Sequence, residues 1–142
     1  MKENIVCSGA LFYATSTKRF MFLQRTDKKT QGMWGLVGGR SKFTESAFEG
    51  LKREIEEETG SLPKFKKVIP LEMFTSNDQK FFFHTYLIAI ESEFIPKLNA
   101  EHSGYCWCAF ECWPKNLHMG LKNTLNNKSI KGKLQTILDL IV

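Results

Sequence analysis

The sequence predicts an α/β domain, an α/β/α sandwich built on a mixed β-sheet. Three observations predict it. Short apolar runs with strand character lie on both sides of one long helical segment. One run, FFFHTYLIAI, is almost continuously apolar, as an interior strand covered on both faces requires. The tail ends in a second amphipathic helical pattern, KLQTILDLIV. Strands that surround one helix and are followed by another place helices on the two sides of a sheet. A chain of 142 residues fits a single domain, residues 1–142. It buries roughly two-thirds of its unfolded surface and needs no cross-links to fold.

The elements follow in order. Residues 4–14 (NIVCSGALFYA) and 19–25 (RFMFLQR) read as two strands around the polar turn TSTK. A polar, glycine-containing loop comes next, then MWGLVGGR, then a helix from about Glu45 to Thr59. Thr44 is the expected N-cap, and Gly60 stands where a left-handed terminator belongs. Ala47, Phe48, Leu51 and Ile55 supply the apolar stripe at helical spacing. Strands are expected near 65–75, 80–90 and 104–110, and one or two helices over 117–141.

Composition narrows the function classes. With 42% hydrophobic and 25% charged residues, the chain has the make-up of a soluble globular domain. No apolar stretch reaches the roughly 20 residues of a membrane-spanning helix. The first 20 residues mix polarity and show no signal-peptide pattern, so the expected location is cytoplasmic and the four cysteines are expected as thiols. Cys106 and Cys108 alternate as on a strand and form no CxxC pair, so buried thiols are favoured over a zinc site. The net charge of +5 suits anionic ligands, but the basic residues are dispersed and form no nucleic-acid motif. Twelve phenylalanines point to a core or cleft built partly from rings.

The informative segment is Arg53-Glu54-Ile55-Glu56-Glu57-Glu58. It lies in the last turns of the helix, where the macrodipole disfavours each carboxylate by ~0.3–1 kcal/mol. Four glutamates in five residues break that rule. Broken local rules often mark functional sites. Glu54, Glu57 and Glu58 fall within an arc of roughly 100°, while Glu56 points about 160° from Glu54, toward solvent. The three clustered acids border the apolar stripe and are expected half-buried at a cleft edge. They need a counter-charge there, and a hard dication such as Mg²⁺ or Mn²⁺ supplies one. A solvated acidic face is the alternative, and this stretch alone does not separate the two.

The wider pattern does. Gly39, then RSKFT, Glu45, SAFEGLK, Arg53-Glu54-Ile55-Glu56-Glu57-Glu58-Thr59 and Gly60 matches the box of the Nudix hydrolase family at all seven fixed positions. Chance gives that on the order of once in a million chains of this length. The chain therefore resembles Nudix hydrolases. Two positions depart from the pattern: Ser61 stands where an aliphatic residue is usual, and Val37 where proline is common. Both bear on loop stiffness more than on chemistry.

The resemblance implies a loop–helix–loop site for Mg²⁺, with Mn²⁺ as a substitute. Glu54, Glu57 and Glu58 would be the carboxylate ligands, with the Gly38 carbonyl beside them. Arg53 would orient a carboxylate through a charge-assisted hydrogen bond; a surface ion pair with Glu49 or Glu57 is its simpler role. Glu45 would act further out or on an additional metal, or would only favour the first helical turn. The implied reaction is metal-assisted attack of water on the phosphorus of a diphosphate. Glu54 and Glu101, the latter in LNAEHSGYCW, are the candidate bases. His102 is a phosphate contact or a solvated loop histidine.

Substrate handling is less legible. Arg25 and Arg40 are placed to meet phosphate, or are surface charges. Trp34 is the ring favoured for the cleft, while Phe82, Tyr105 and Trp107 are favoured for the core. The expected partner is a small nucleotide: ADP-ribose, a dinucleoside polyphosphate, FAD or a nucleotide sugar. Readings kept beside it are an NTP or dNTP pyrophosphohydrolase and a nucleotide-binding module without catalysis. QGMWGLVGGR with EHSGYCW is also similar to GDP-mannose hydrolases. The resemblance leaves a homodimer open, and no feature of the sequence demands one.

Overall fold

In the computed structural model, which describes residues 4–141, strand β1 (Ile5–Ala14) is the spine of a seven-stranded mixed sheet. Its alternation sorts side chains to two faces: Ala10, Phe12 and Ala14 enter one buried cluster, Leu11 and Tyr13 the other. β2 (Arg19–Arg25) returns antiparallel from the Thr15–Lys18 turn, with Tyr13 opposite Phe20. The segment expected only as a link to the helix forms two short strands, β3 (Trp34–Gly35) and β4 (Val37–Arg40). β4 lies antiparallel to the first half of β1, with Gly9 opposite Gly38.

β5 (Lys67–Thr75) and β6 (Phe81–Ile90) form an antiparallel pair, and β6 runs parallel to β1 along its whole length. β7 (His102–Ala109) pairs with β2 and begins two residues earlier than the sequence suggested. The sheet order is β3-β2-β1-β6-β5, with β4 on β1 and β7 on β2. β6 is thus interior, as its apolar run requires, although its first four residues are only half-buried.

Helix α1 (Ala47–Thr59) covers one face through Leu51 and Ile55, which are fully buried with Phe12 and Met21. Each such aliphatic side chain contributes about 1.5–3 kcal/mol. α2 (Met119–Asn126) and α3 (Lys128–Leu140) cover the other face through Leu121, Leu125 and Leu134. Helices on both sides make the α/β/α sandwich. Among the described residues, no helix is long and apolar enough to cross a membrane.

The start of α1 differs from expectation. Its N-cap is Ser46, not Thr44: the Ser46 side chain accepts from the Glu49 N–H at 3.1 Å, and Glu49 accepts from the Ser46 N–H at 2.9 Å. This capping box occupies Glu49 and leaves Glu45 outside the helix, so Glu45 has no first-turn role. The other end is as expected: Gly60 has φ 75° and donates its N–H to the Glu56 carbonyl.

Candidate active site

The last two turns of α1 face β4 and the loop before β7. Burial separates the four glutamates by helical position. Glu56 is exposed, as its direction predicted. Glu54 keeps 14% of its side chain exposed and Glu58 is 2% exposed, whereas Glu57 is 52% exposed and not half-buried. The expected half-buried position therefore holds for Glu54 alone: Glu58 is fully buried and Glu57 is exposed.

Arg53 gathers the acids on the outer side. Its Nε donates to Glu45 Oε2 at 2.8 Å and its Nη2 to Glu45 Oε1 at 3.0 Å. Its Nη1 donates to Glu54 Oε1 at 2.8 Å and to both oxygens of Glu57, at 3.1 and 3.2 Å. Nη2 also donates to the Arg40 carbonyl at 3.1 Å, fixing the end of β4. One guanidinium thus spans three carboxylates and a loop, a geometry only arginine's planar fork offers. Hydrogen bonding from Arg53 pulls the Glu45 carboxyl down to about 2, and Glu45 in turn raises Arg53 above its ordinary value.

The inner side has the opposite electrostatics. Glu58 accepts from the Gly38 N–H at 3.0 Å and faces the carboxyls of Glu54 and Glu101. Burial, with those two acids adding, pushes its carboxyl up to about 10. The glycines make this approach possible. A Cβ on Gly38 would lie 2.0 Å from the Ser8 carbonyl oxygen, and one on Gly39 2.7 Å from the Glu54 carboxyl. Val37, in the position where proline is common, is fully buried opposite Ala10 and anchors the loop by packing.

Glu101 reaches the site because its loop is tied down on two sides. Asn99 Nδ2 donates to the Glu57 carbonyl at 3.1 Å, and Asn99 Oδ1 accepts from the Glu101 N–H at 3.0 Å. The Thr26 N–H and hydroxyl donate to the carbonyls of Glu101 and Ala100. A register irregularity then sets His102 opposite Arg25 while Gly104 stays opposite Gln24. His102 is half-buried rather than solvated, its Nδ1 has no hydrogen-bond partner among the described residues, and burial lowers its imidazole pKa. Ligand atoms of Glu58, Glu101 and His102 all lie within 4.8 Å of one another. The buried Glu58 and the exposed Glu101, which have no cationic partner among the described residues, lie with His102 in an arrangement that suits a divalent cation.

Sequence reasoning passed over Asn99 and undervalued His102. The hint for Asn99 was an Asx residue two places before an acid; the contact with α1 spans 42 residues. Of the substrate candidates, Arg40 is exposed at the end of β4. The Arg25 Nε donates to Asp27 at 3.1 Å and to Thr30 at 2.7 Å, on the strand beside His102. The ring of Trp34 is partly buried against the α2–α3 side of the sheet, and its backbone bonds to Asn116 and His118. Trp107 packs edge-on against Phe94, in the core as expected, whereas Tyr105 stays 38% exposed. The cysteines are free thiols and take no part in the cluster; Cys106 and Cys108 lie 3.6 Å apart.

The family model of the NUDIX domain matches residues 5–127, a span that includes every residue of this cluster. The chain belongs to the Nudix family. Solved structures agree on the Nudix fold. A MutT Nudix hydrolase from Burkholderia pseudomallei superposes with a TM-score of 0.67 at 20% identity, over 89% of this chain and 99% of its own. A C. elegans Ap4A hydrolase gives 0.71 at 18% identity, over 95% and 99%. The Nudix domain of Shewanella oneidensis NrtR, solved with ADP ribose, gives 0.61 at 18% identity, over 77% and 75%. Among curated proteins, no relative matches by sequence. The Nudix box accounts for Gly39, Glu54, Glu57 and Glu58; Gly38 precedes it, and Asn99, Glu101 and His102 lie beyond it.

Proposed function

We propose that this Nudix protein hydrolyses a diphosphate linkage in a nucleoside diphosphate derivative, using Mg²⁺ or, in its place, Mn²⁺. The observation that carries the reading is the split of the acids: Arg53 hydrogen-bonds Glu45, Glu54 and Glu57, while Glu58 and Glu101 face each other with no cation beside them among the described residues. Neighbours of the same fold are an Ap4A hydrolase and a domain solved with ADP ribose, so a nucleotide joined through phosphate is the substrate class supported.

When bound, a divalent cation would draw charge from the diphosphate oxygens and acidify a water molecule. Glu54, Glu57 and Glu58 would hold it, with the Gly38 backbone alongside. Arg53 keeps the Glu54 and Glu57 oxygens in fixed positions, so little reorganisation is left for the reacting state. Glu101 stands beside Glu58, and Glu101 or Glu54 takes the proton that the attacking water loses. Arg40, exposed at the end of β4, and Arg25, on the strand opposite His102, would supply positive charge for the substrate phosphates.

The test is a phosphate-release assay with Mg²⁺ on ADP-ribose, FAD, dinucleoside polyphosphates, nucleotide sugars and NTPs, for wild type and Glu54→Gln. Turnover that needs the metal and falls by at least about 10²-fold in the variant supports the reading. NTPs alone being cut moves the substrate class to pyrophosphohydrolysis of triphosphates. Ligand-induced thermal stabilisation without turnover of anything overturns catalysis in favour of a binding module.

A further inference from the structure

The inner half of the cluster carries a nitrogen donor that a purely oxygen-based magnesium site has no use for. β7 starts at His102, and the bulge opposite Gln24 and Arg25 turns two successive residues, Glu101 and His102, toward Glu58. Bulges commonly re-aim a side chain in this way. The His102 Nδ1 is out of solvent and has no hydrogen-bond partner among the described residues, which is costly for a ring nitrogen unless something binds it. Glu58, itself almost fully buried, accepts from the Gly38 N–H and faces two other carboxyls. Arg53, the cation of the site, is committed to Glu45, Glu54 and Glu57.

We propose that Glu58, Glu101 and His102 form a mixed oxygen–nitrogen site for a transition-metal dication of the Mn²⁺, Co²⁺ or Zn²⁺ class, in preference to Mg²⁺. The inference rests on the reading of Glu58 as a metal-binding carboxylate, and adds to it Glu101 and the nitrogen ligand that selects the ion. Mg²⁺ demands oxygen ligands in near-ideal octahedral geometry and gives up water reluctantly. Imidazole suits the later first-row ions, whose affinity for a nitrogen-containing site also rises along the series from Mn²⁺. The ligand atoms already lie within 4.8 Å of one another, so small side-chain rotations bring all three to a common ion. The tie from Asn99 to both Glu57 and Glu101 holds the two halves of the site in one frame.

The experiment is calorimetric titration of Co²⁺ and of Mg²⁺ into the metal-free full chain, with visible absorption of the Co²⁺ form, for wild type and His102→Phe. The expected result is tighter binding of Co²⁺ than of Mg²⁺ by wild type. In the variant, Co²⁺ affinity should fall by at least about tenfold and its d–d spectrum should change, with Mg²⁺ affinity retained. Identical Co²⁺ affinity and spectrum in the two proteins overturn the proposal. If His102→Phe fails to fold, ¹⁵N spectra of wild type decide: Zn²⁺ must move a ring-nitrogen resonance of His102, and an unmoved resonance overturns the proposal. Absence of turnover on the substrate panel with Mg²⁺, Mn²⁺ and Co²⁺ alike, by contrast, would sink the hydrolase reading and leave the Co²⁺ binding result standing.

Discussion

Arg53 and Glu45 form a two-point pair, Nε to Oε2 at 2.8 Å and Nη2 to Oε1 at 3.0 Å, although Glu45 lies outside the helix that carries Arg53. The pair locks the guanidinium plane, and that plane in turn sets the Glu54 and Glu57 oxygens. Lysine cannot reproduce a fork that holds three carboxylates. Arg53→Lys is therefore expected to lower kcat by about 10²-fold with KM little changed, since the loss is one of positioning. Steady-state kinetics on the best substrate checks it. An equal rise in KM with kcat intact would place Arg53 in substrate binding instead.

The burial of Glu58 gives metal-free protein a distinctive pH dependence. The unfolded carboxyl titrates near 4.5 and the folded one is held up to about 10. Between those values the folded state keeps a proton that the unfolded state has lost. This group's contribution to stability is complete below the unfolded pKa and is lost as pH rises toward the folded one. The slope reaches at most about 1.4 kcal/mol per pH unit. Urea unfolding in EDTA from about pH 7 to 8.5 should show stability falling. Glu58→Gln should flatten that fall. An unchanged slope in the variant would show that Glu58 is ionised without metal.

Much of this site was legible in one stretch of sequence, because it is a local feature that contradicts local stability. Acids at the C-terminal end of a helix, spaced onto one face, pointed to either a metal site or a solvated acidic face. The box spacing gave the family. The N-cap was legible too, since Ser46 has Glu49 three residues on and Thr44 has only Ala47. The inner half of the cluster was not. Glu101 and His102 meet Glu58 through a bulge and an asparagine bridge, and their sequence separation of more than 40 residues carries no periodic signal. The unequal burial of Glu57 and Glu58 depends on how β4 and the 99–101 loop close over α1, which no helical wheel contains.

Asn99 is a positioning residue. Its side chain donates to the Glu57 carbonyl and accepts from the Glu101 N–H, joining the loop of one acid to the helix of the others. Asn99→Ala removes both bonds and frees Glu101 to swing. Supports of this kind are worth about 10–100-fold in activity. The expected outcome is a fall in kcat in that range, with KM and the melting temperature close to wild type. A variant whose kcat is unchanged would show that Glu101 is held by Thr26 alone.

Two glycine-to-alanine changes should move stability in opposite directions. At Gly38 the added methyl would lie 2.0 Å from the Ser8 carbonyl oxygen and 2.8 Å from the Gly9 Cα, both backbone atoms of the paired strand. The strand pair must part, at a cost of about 1–3 kcal/mol or more, and the Gly38 N–H must leave Glu58. Gly132 lies inside α3, and a methyl there meets nothing within 4 Å. Alanine at that position limits the unfolded chain and favours the helix by roughly 0.5–1 kcal/mol. Urea midpoints should fall for Gly38→Ala and rise for Gly132→Ala, with catalysis lost in the first and kept in the second. A tolerated Gly38→Ala would mean that β4 can move away from β1 without disturbing Glu58, and the tight glycine approach would no longer explain why that carboxyl is buried.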